Sequence, residues 1–176
     1  MQFLLDTNAL HRDYFLTKPA VVALAREQSR GGYAVIVPEV VVQEHMKHFR
    51  EDRKELISAF TEYAHVTTTD LAPSLLYPPT ETYPDVLRAR LAELSIRVAP
   101  HPAASHADVV ARAVGGRLPF FGDGQQGYND VLIWETALEL CRSDQVILVS
   151  KDKRAFGPDR LDSELERELS ALSLQV

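Results

Sequence analysis

Phe3-Leu4-Leu5-Asp6-Thr7-Asn8 is the stretch that decides the fold. Three apolar residues in a row, too few for a helix, run into turn-forming polar side chains. Such a run reads as a strand buried on both faces, as in a parallel sheet, stopping at Asp6. The same pattern recurs downstream. Ala34-Val35-Ile36-Val37 is short and β-branched, and Pro38 behind it suits the first residue of a helix. Val146-Ile147-Leu148-Val149 is a third run, closed by Ser150-Lys151-Asp152. Helical patterns fill the intervals. Pro19 to Arg30 is apolar at helical spacing and is stopped by Gly31-Gly32. A long helix follows Pro38, with Val42, Met46, Phe49, Leu56, Ile57 and Phe60 along one stripe. Asp85 to Ser95, Ser105 to Val114 with Ser105 as N-cap, Tyr128 to Arg142 and Asp162 to Leu172 are further helices. Thr67 to Pro84 carries Pro73, Pro78, Pro79 and Pro84 and reads as an irregular excursion. Ser173 to Val176 reads as a last edge strand. Alternating strands and helices predict a three-layer α/β/α sandwich around a mainly parallel sheet, in one domain spanning residues 1–176.

Composition narrows the function. The chain has 176 residues, 19 Lys+Arg against 25 Asp+Glu for a net charge of −6, and 45% hydrophobic residues. That is ordinary globular composition, which excludes disorder as the general state. No apolar run approaches the roughly 18–20 residues of a membrane span. The start lacks a basic region and a small-residue cleavage site, so no signal peptide is expected. The single cysteine, Cys141, sits among apolar helical residues and reads as a small buried side chain. Its solitude fits a reducing compartment, hence a cytoplasmic location. The acidic balance argues against holding nucleic acid by bulk charge, but not against an acidic metal site that cleaves it.

The carboxylates carry the chemistry. Asp6 and Asp152 both lie just past the carboxyl ends of expected parallel strands, the edge where open α/β sheets hold their ligands. Helices after a strand, and helices before one, begin at that same edge. Glu44, in the first two turns after Pro38, and Asp130, in the first turn of the helix before the third run, therefore point near it. Four acids crowded at one rim repel one another unless a cation neutralises them. Oxygen-only ligands suit Mg²⁺ or Mn²⁺, which polarises a phosphoryl oxygen and lowers the pKa of a bound water.

LLDTNAL from residue 4, VPEVVVQEHMKH from residue 37, GYNDVLIWETALEL from residue 127 and ILVSKDKRAFG from residue 147 together resemble the PIN-domain nucleases. The resemblance spans essentially the whole chain, although residues from about Thr67 to Arg112 carry little of it. It implies a PIN-like fold and metal-dependent endonucleolytic cleavage of RNA, often single-stranded, leaving a 5′-phosphate and a 3′-hydroxyl. By the same resemblance, Asp6, Asp130 and Asp152 would be metal-binding acids. Glu44 would be the acid that orients a water at the ion, with a place in the metal set as well. Asn8 would hold the first turn by hydrogen bonds, and Ser150 would be the small hydroxyl ahead of Asp152. Related proteins often carry lysine where this chain has Asn129, which removes a cation beside the site. Relatives include toxins silenced by an antitoxin protein and homodimers, so an antitoxin and a second copy of the chain stand as candidate partners beside the RNA.

Plainer readings stand next to these. Asp6 would also cap a turn, and Asp152 would do the same between Lys151 and Lys153. Glu44 would also be a solvated charge paired with His48, and Asp130 a helix-start acid favoured by the macrodipole. Glu135, five positions after Asp130, falls off its face and reads as structural or as a support behind the site acids. His45 and His48 lack a zinc partner set, and no GK[ST] follows Gly122, Gly124 and Gly127 to make a P-loop. For substrate contact the candidates are Lys151, Arg117 and Phe121, with the basic face of Lys47, Arg50, Arg53 and Lys54 behind them. Phe120 and Phe121 would stack bases or fold onto the core. The competing function is a catalytically idle module that binds RNA or a protein. A receiver- or phosphatase-type domain needs a second carboxylate near Asp6, which Asp6-Thr7-Asn8 lacks.

Overall fold

The computed structural model describes residues 1–64, 78–122, 124 and 126–174. Among these, strands β1 (Gln2–Leu5), β2 (Ala34–Pro38), β3 (Arg97–Ala99) and β4 (Val146–Val149) form one parallel sheet in the order β3-β2-β1-β4. The chain moves outward from β1 to β2 and β3, then returns to the other side of β1 for β4. The strand order therefore reverses between β1 and β4. Leu5 pairs with Val149 there, which leaves Asp6 and Ser150 side by side past the last ladder rung.

The connections are helical: α1 (Thr7–Leu10), α2 (Pro19–Arg26) and α3 (Gln28–Gly31) before β2; α4 (Glu39–Ala64) and α5 (Tyr83–Glu93) before β3; α6 (His106–Val114) and α7 (Tyr128–Cys141) before β4; α8 (Ser163–Ala171) after it. Right-handed crossovers set the outward helices on one face of the sheet and the returning ones on the other, the expected three-layer sandwich. The strands are apolar because both faces are covered: Leu4, Val35, Ile36 and Val146 are fully buried. Trp134 of α7 and Phe49 of α4 are the large side chains that fill the two helical layers, with Phe49 stacked on Tyr83 at 3.7 Å. Cys141 is buried as expected.

Several expectations need correction. The strand β3 is absent from the sequence reading, because three residues with Arg97 at their head give no apolar run. The helix expected from Pro19 to Arg30 is broken at Glu27, where the Gln28 side chain instead ties Ala25, Leu94 and Val35 together. Pro38 closes β2 opposite Ala99 rather than opening α4. Most of the Thr67–Pro84 excursion lies outside the described residues, as does the end of the expected edge strand at Gln175 and Val176. Tyr83 and Pro84 already belong to α5.

Candidate active site

Asp6 is the N-cap residue of α1 and is almost fully buried. Its Oδ2 accepts from Ser150 Oγ at 2.5 Å and from Asn8 Nδ2 at 3.4 Å, so the β1 acid is stitched to the end of β4. Burial holds its carboxyl above the usual range, against the pull of those donors. Ser150 Oγ in turn accepts from the Asp152 backbone N–H at 2.9 Å. The Asp152 Oδ1 caps the turn after β4, accepting from the Arg154 and Ala155 N–H groups at 2.9 and 3.0 Å. The plain role expected of Asp152 as a turn residue is thus real, and it occupies one of the two carboxylate oxygens.

Asp130 lies in the first turn of α7. The helix starts on Gly127 at φ 105°, where a Cβ would stand 2.5 Å from the Pro119 carbonyl. Only glycine lets the helix begin so close to that loop. The Asp130 carboxyl is pushed up to about 7, first by burial and then by the charges of Asp6, Asp152 and Glu44. That ordering of causes ties all four sequence-predicted acids into one electrostatic neighbourhood.

Glu44, partly buried on α4, is held on both oxygens. Thr7 Oγ1 donates to its Oε2 at 2.5 Å and Asn129 Nδ2 to its Oε1 at 2.6 Å. The proposed pair with His48 does not form, since His48 Nδ1 faces Glu51 at 3.5 Å. Thr7 and Asn129 are the polar residues whose role at the site sequence reasoning missed. Their signal was adjacency: each sits next to a candidate acid.

The substrate-contact candidates scatter. Lys151 is exposed beside Ser150. Arg117 is engaged elsewhere, 3.6 Å from Glu168 of α8. Phe121 is partly buried in a two-residue bridge with Gln126, while Phe120 folds onto Val109 and Val131 in a small core. Glu135 faces Arg112 at 3.5 Å and is structural, as expected. Lys47 pairs with Glu51 at 3.9 Å, and Arg53 lines a groove of about 440 Å³ with Arg12, Tyr14 and Asp52, away from the acids. A second groove, of about 330 Å³, runs along β4 and takes in one of the four acids, Asp152, with Ser150, Phe156 and Arg160.

The donor set suits a small divalent cation in kind: carboxylate and hydroxyl oxygens only. Among the described residues none of the four acids makes a salt bridge. Among the same residues, no three His, Cys, Asp or Glu side chains are drawn together as a ready ligand set.

A family model described as the PIN domain matches residues 4–156. The chain belongs to the PIN domain family. The match runs from β1 to the turn after β4 and so takes in all four acids. No curated protein and no solved structure matches the chain. This PIN domain has the nuclease-type fold of its family, whose members generally use divalent metal ions. Among the described residues, no helix of this PIN domain is long and apolar enough to cross a membrane.

Proposed function

We propose that this PIN domain is a metal-dependent endoribonuclease that hydrolyses phosphodiester bonds of single-stranded RNA. The observation that carries the reading is the meeting of four acids at the strand-order reversal, where the Asp130 carboxyl is pushed up to about 7, first by burial and then by the charges of Asp6, Asp152 and Glu44. Carboxylates that cannot all stay ionised side by side create the demand that a divalent cation meets. Asp6, Asp130 and Asp152 are the residues that would hold it. Bound there, Mg²⁺ or Mn²⁺ would supply Lewis-acid stabilisation of phosphoryl charge and a more acidic water. Glu44 orients the attacking water and accepts its proton, while Ser150 and Asn8 keep Asp6 turned to the rim. Lys151, exposed next to Ser150, meets the substrate backbone.

A second reading, an idle module that binds RNA or a protein such as an antitoxin, draws on the absence of a ready ligand set among the described residues. One experiment separates the two. Labelled single-stranded RNA is incubated with the protein and Mn²⁺, with EDTA and with the Asp130→Asn variant. Cleavage that needs Mn²⁺ and disappears in the variant supports the nuclease. Cleavage that survives the substitution is contamination, and RNA bound but uncut by the parent supports the idle module.

A further inference from the structure

The four acids are not held alike. Among the described residues, no other side chain is hydrogen-bonded to the Asp130 carboxylate. Asp6 takes its two side-chain donors on the same oxygen, Oδ2, with the Thr7 backbone N–H bonded to the carboxyl as well, and Asp152 takes its turn donors on Oδ1. Glu44 alone is gripped on both oxygens by side chains of two other elements, Thr7 at the start of α1 and Asn129 in the first turn of α7. A carboxylate oxygen only accepts, so the Asn129 amide must present its nitrogen, and the Thr7 hydroxyl must spend its proton, on Glu44. These donors come from positions 37 and 85 residues away in sequence. Both are short contacts to a charged acceptor, the stronger kind of hydrogen bond.

We propose that Thr7 and Asn129 are positioning residues that fix Glu44 as the acid acting beside the metal ion rather than as one of its ligands. This rests on the nuclease reading above and deepens it. With one donor on each oxygen, Glu44 keeps a lone pair on each for a water, and any rotation of the carboxylate away from that setting would cost a charge-assisted bond. Asp6, Asp130 and Asp152 would hold the ion, and Glu44 would set the orientation of the water beside it. Asn129, neutral where a lysine would add charge, holds Glu44 without cancelling its negative charge.

The test uses the full chain and two readouts, Mn²⁺ titration followed by thermal melting and single-turnover cleavage of labelled single-stranded RNA. The variants are Thr7→Val, Thr7→Ser, Asn129→Ala, Glu44→Gln and Asp130→Asn, with Asn129→Ala also made on Glu44→Gln. Thr7→Val and Asn129→Ala should cut at least about tenfold more slowly, the scale of a misplaced reacting group. Their Mn²⁺ midpoints should stay within about threefold of the parent, as should that of Glu44→Gln, while Asp130→Asn loses the Mn²⁺ response. Thr7→Ser restores the hydroxyl and should recover the rate. Asn129→Ala should slow Glu44→Gln no further, because it acts through that carboxylate. The proposal is overturned if either single variant cuts at the parent rate, if the Asn129 effect persists on Glu44→Gln, or if Glu44→Gln loses Mn²⁺ as Asp130→Asn does. A parent without Mn²⁺-dependent cleavage overturns the nuclease reading and the clamp with it, and is seen before any substitution is compared.

Discussion

Two buried titratable residues pull the acid stability of this protein in opposite directions. Asp130 titrates near 3.8 when unfolded and about 7 when folded. Between those values the native state keeps a proton that the unfolded chain has released. Metal-free stability therefore falls as pH rises through that window and is level above it. His45 behaves inversely. It is buried among Tyr14 and Tyr83, and desolvation lowers it from 6.5 to about 4. The unfolded chain takes up that proton first, so stability is complete above 6.5 and is lost as pH falls toward 4, by at most about 3 kcal/mol. The two slopes overlap between pH 4 and 6.5 and partly cancel in the parent. Substitution separates them. In Asp130→Asn the largest opposing slope is gone, and metal-free stability should drop more steeply on acidification below 6.5 than in the parent. In His45→Gln the slope is that of the raised carboxyls, Asp130 with Asp6 and Glu135, and stability should fall less on acidification than in the parent. Urea midpoints measured at half-unit steps of pH in EDTA read both. Parallel curves for the two variants would show that neither group titrates as its surroundings require. The same Asp130→Asn change should raise the melting temperature at pH 8 by a few degrees, because it removes a charge that the cluster cannot neutralise.

At the scale of elements, Arg112 joins three helices. Its guanidinium, buried on α6, donates to the Leu118 carbonyl and bridges to Glu135 of α7 and Glu168 of α8, while Trp134 Nε1 donates to the other Glu168 oxygen at 3.1 Å. Arg112→Met takes the guanidinium from Glu135 and the Leu118 carbonyl and leaves Glu168 with only Trp134 and Arg117, and should cost about 3–5 kcal/mol in chemical denaturation. Arg88→Met breaks the exposed pair with Glu39 and should cost under about 1 kcal/mol. Equal losses would mean that burial is not what gives the Arg112 network its weight. The contrast also explains what the sequence could convey. Strands β1, β2 and β4 are legible because burial on both faces demands continuous apolar runs, and Ser105 is legible as an N-cap because its Oγ takes the local Asp108 N–H. β3 is hidden because Arg97-Val98-Ala99 satisfies a strand only through pairing with β2. The break between α2 and α3 is hidden because Gln28 answers to Leu94 and Val35, not to helical period. The acids were legible by station on the sheet. The grip of Thr7 and Asn129 on Glu44, and the capture of Arg117 by Glu168, depend on partners far along the chain that no local pattern encodes.

At the scale of the whole molecule, the chain carries a net charge of −6 and gathers four of its acids at one rim without a salt bridge among the described residues. A protein so arranged should be most stable with its rim neutralised. An ion that binds the native state and not the unfolded chain adds about 2.7 kcal/mol at a hundredfold excess over Kd. For a chain of this size that corresponds to a rise of roughly 5–10 °C in Tm. General screening of a negative molecule would also raise Tm, so two controls isolate the site. Sodium chloride at matched ionic strength should reproduce only a small part of the effect, since a buried rim is screened far less than surface charge. Asp130→Asn should abolish most of the Mn²⁺ response while leaving the sodium chloride response intact, because it removes one of the proposed ligands and barely changes the net charge. A Mn²⁺ response that survives Asp130→Asn undiminished would put the cation somewhere other than the rim between β1 and β4, and the four acids would then be charge that the fold tolerates rather than charge that it uses.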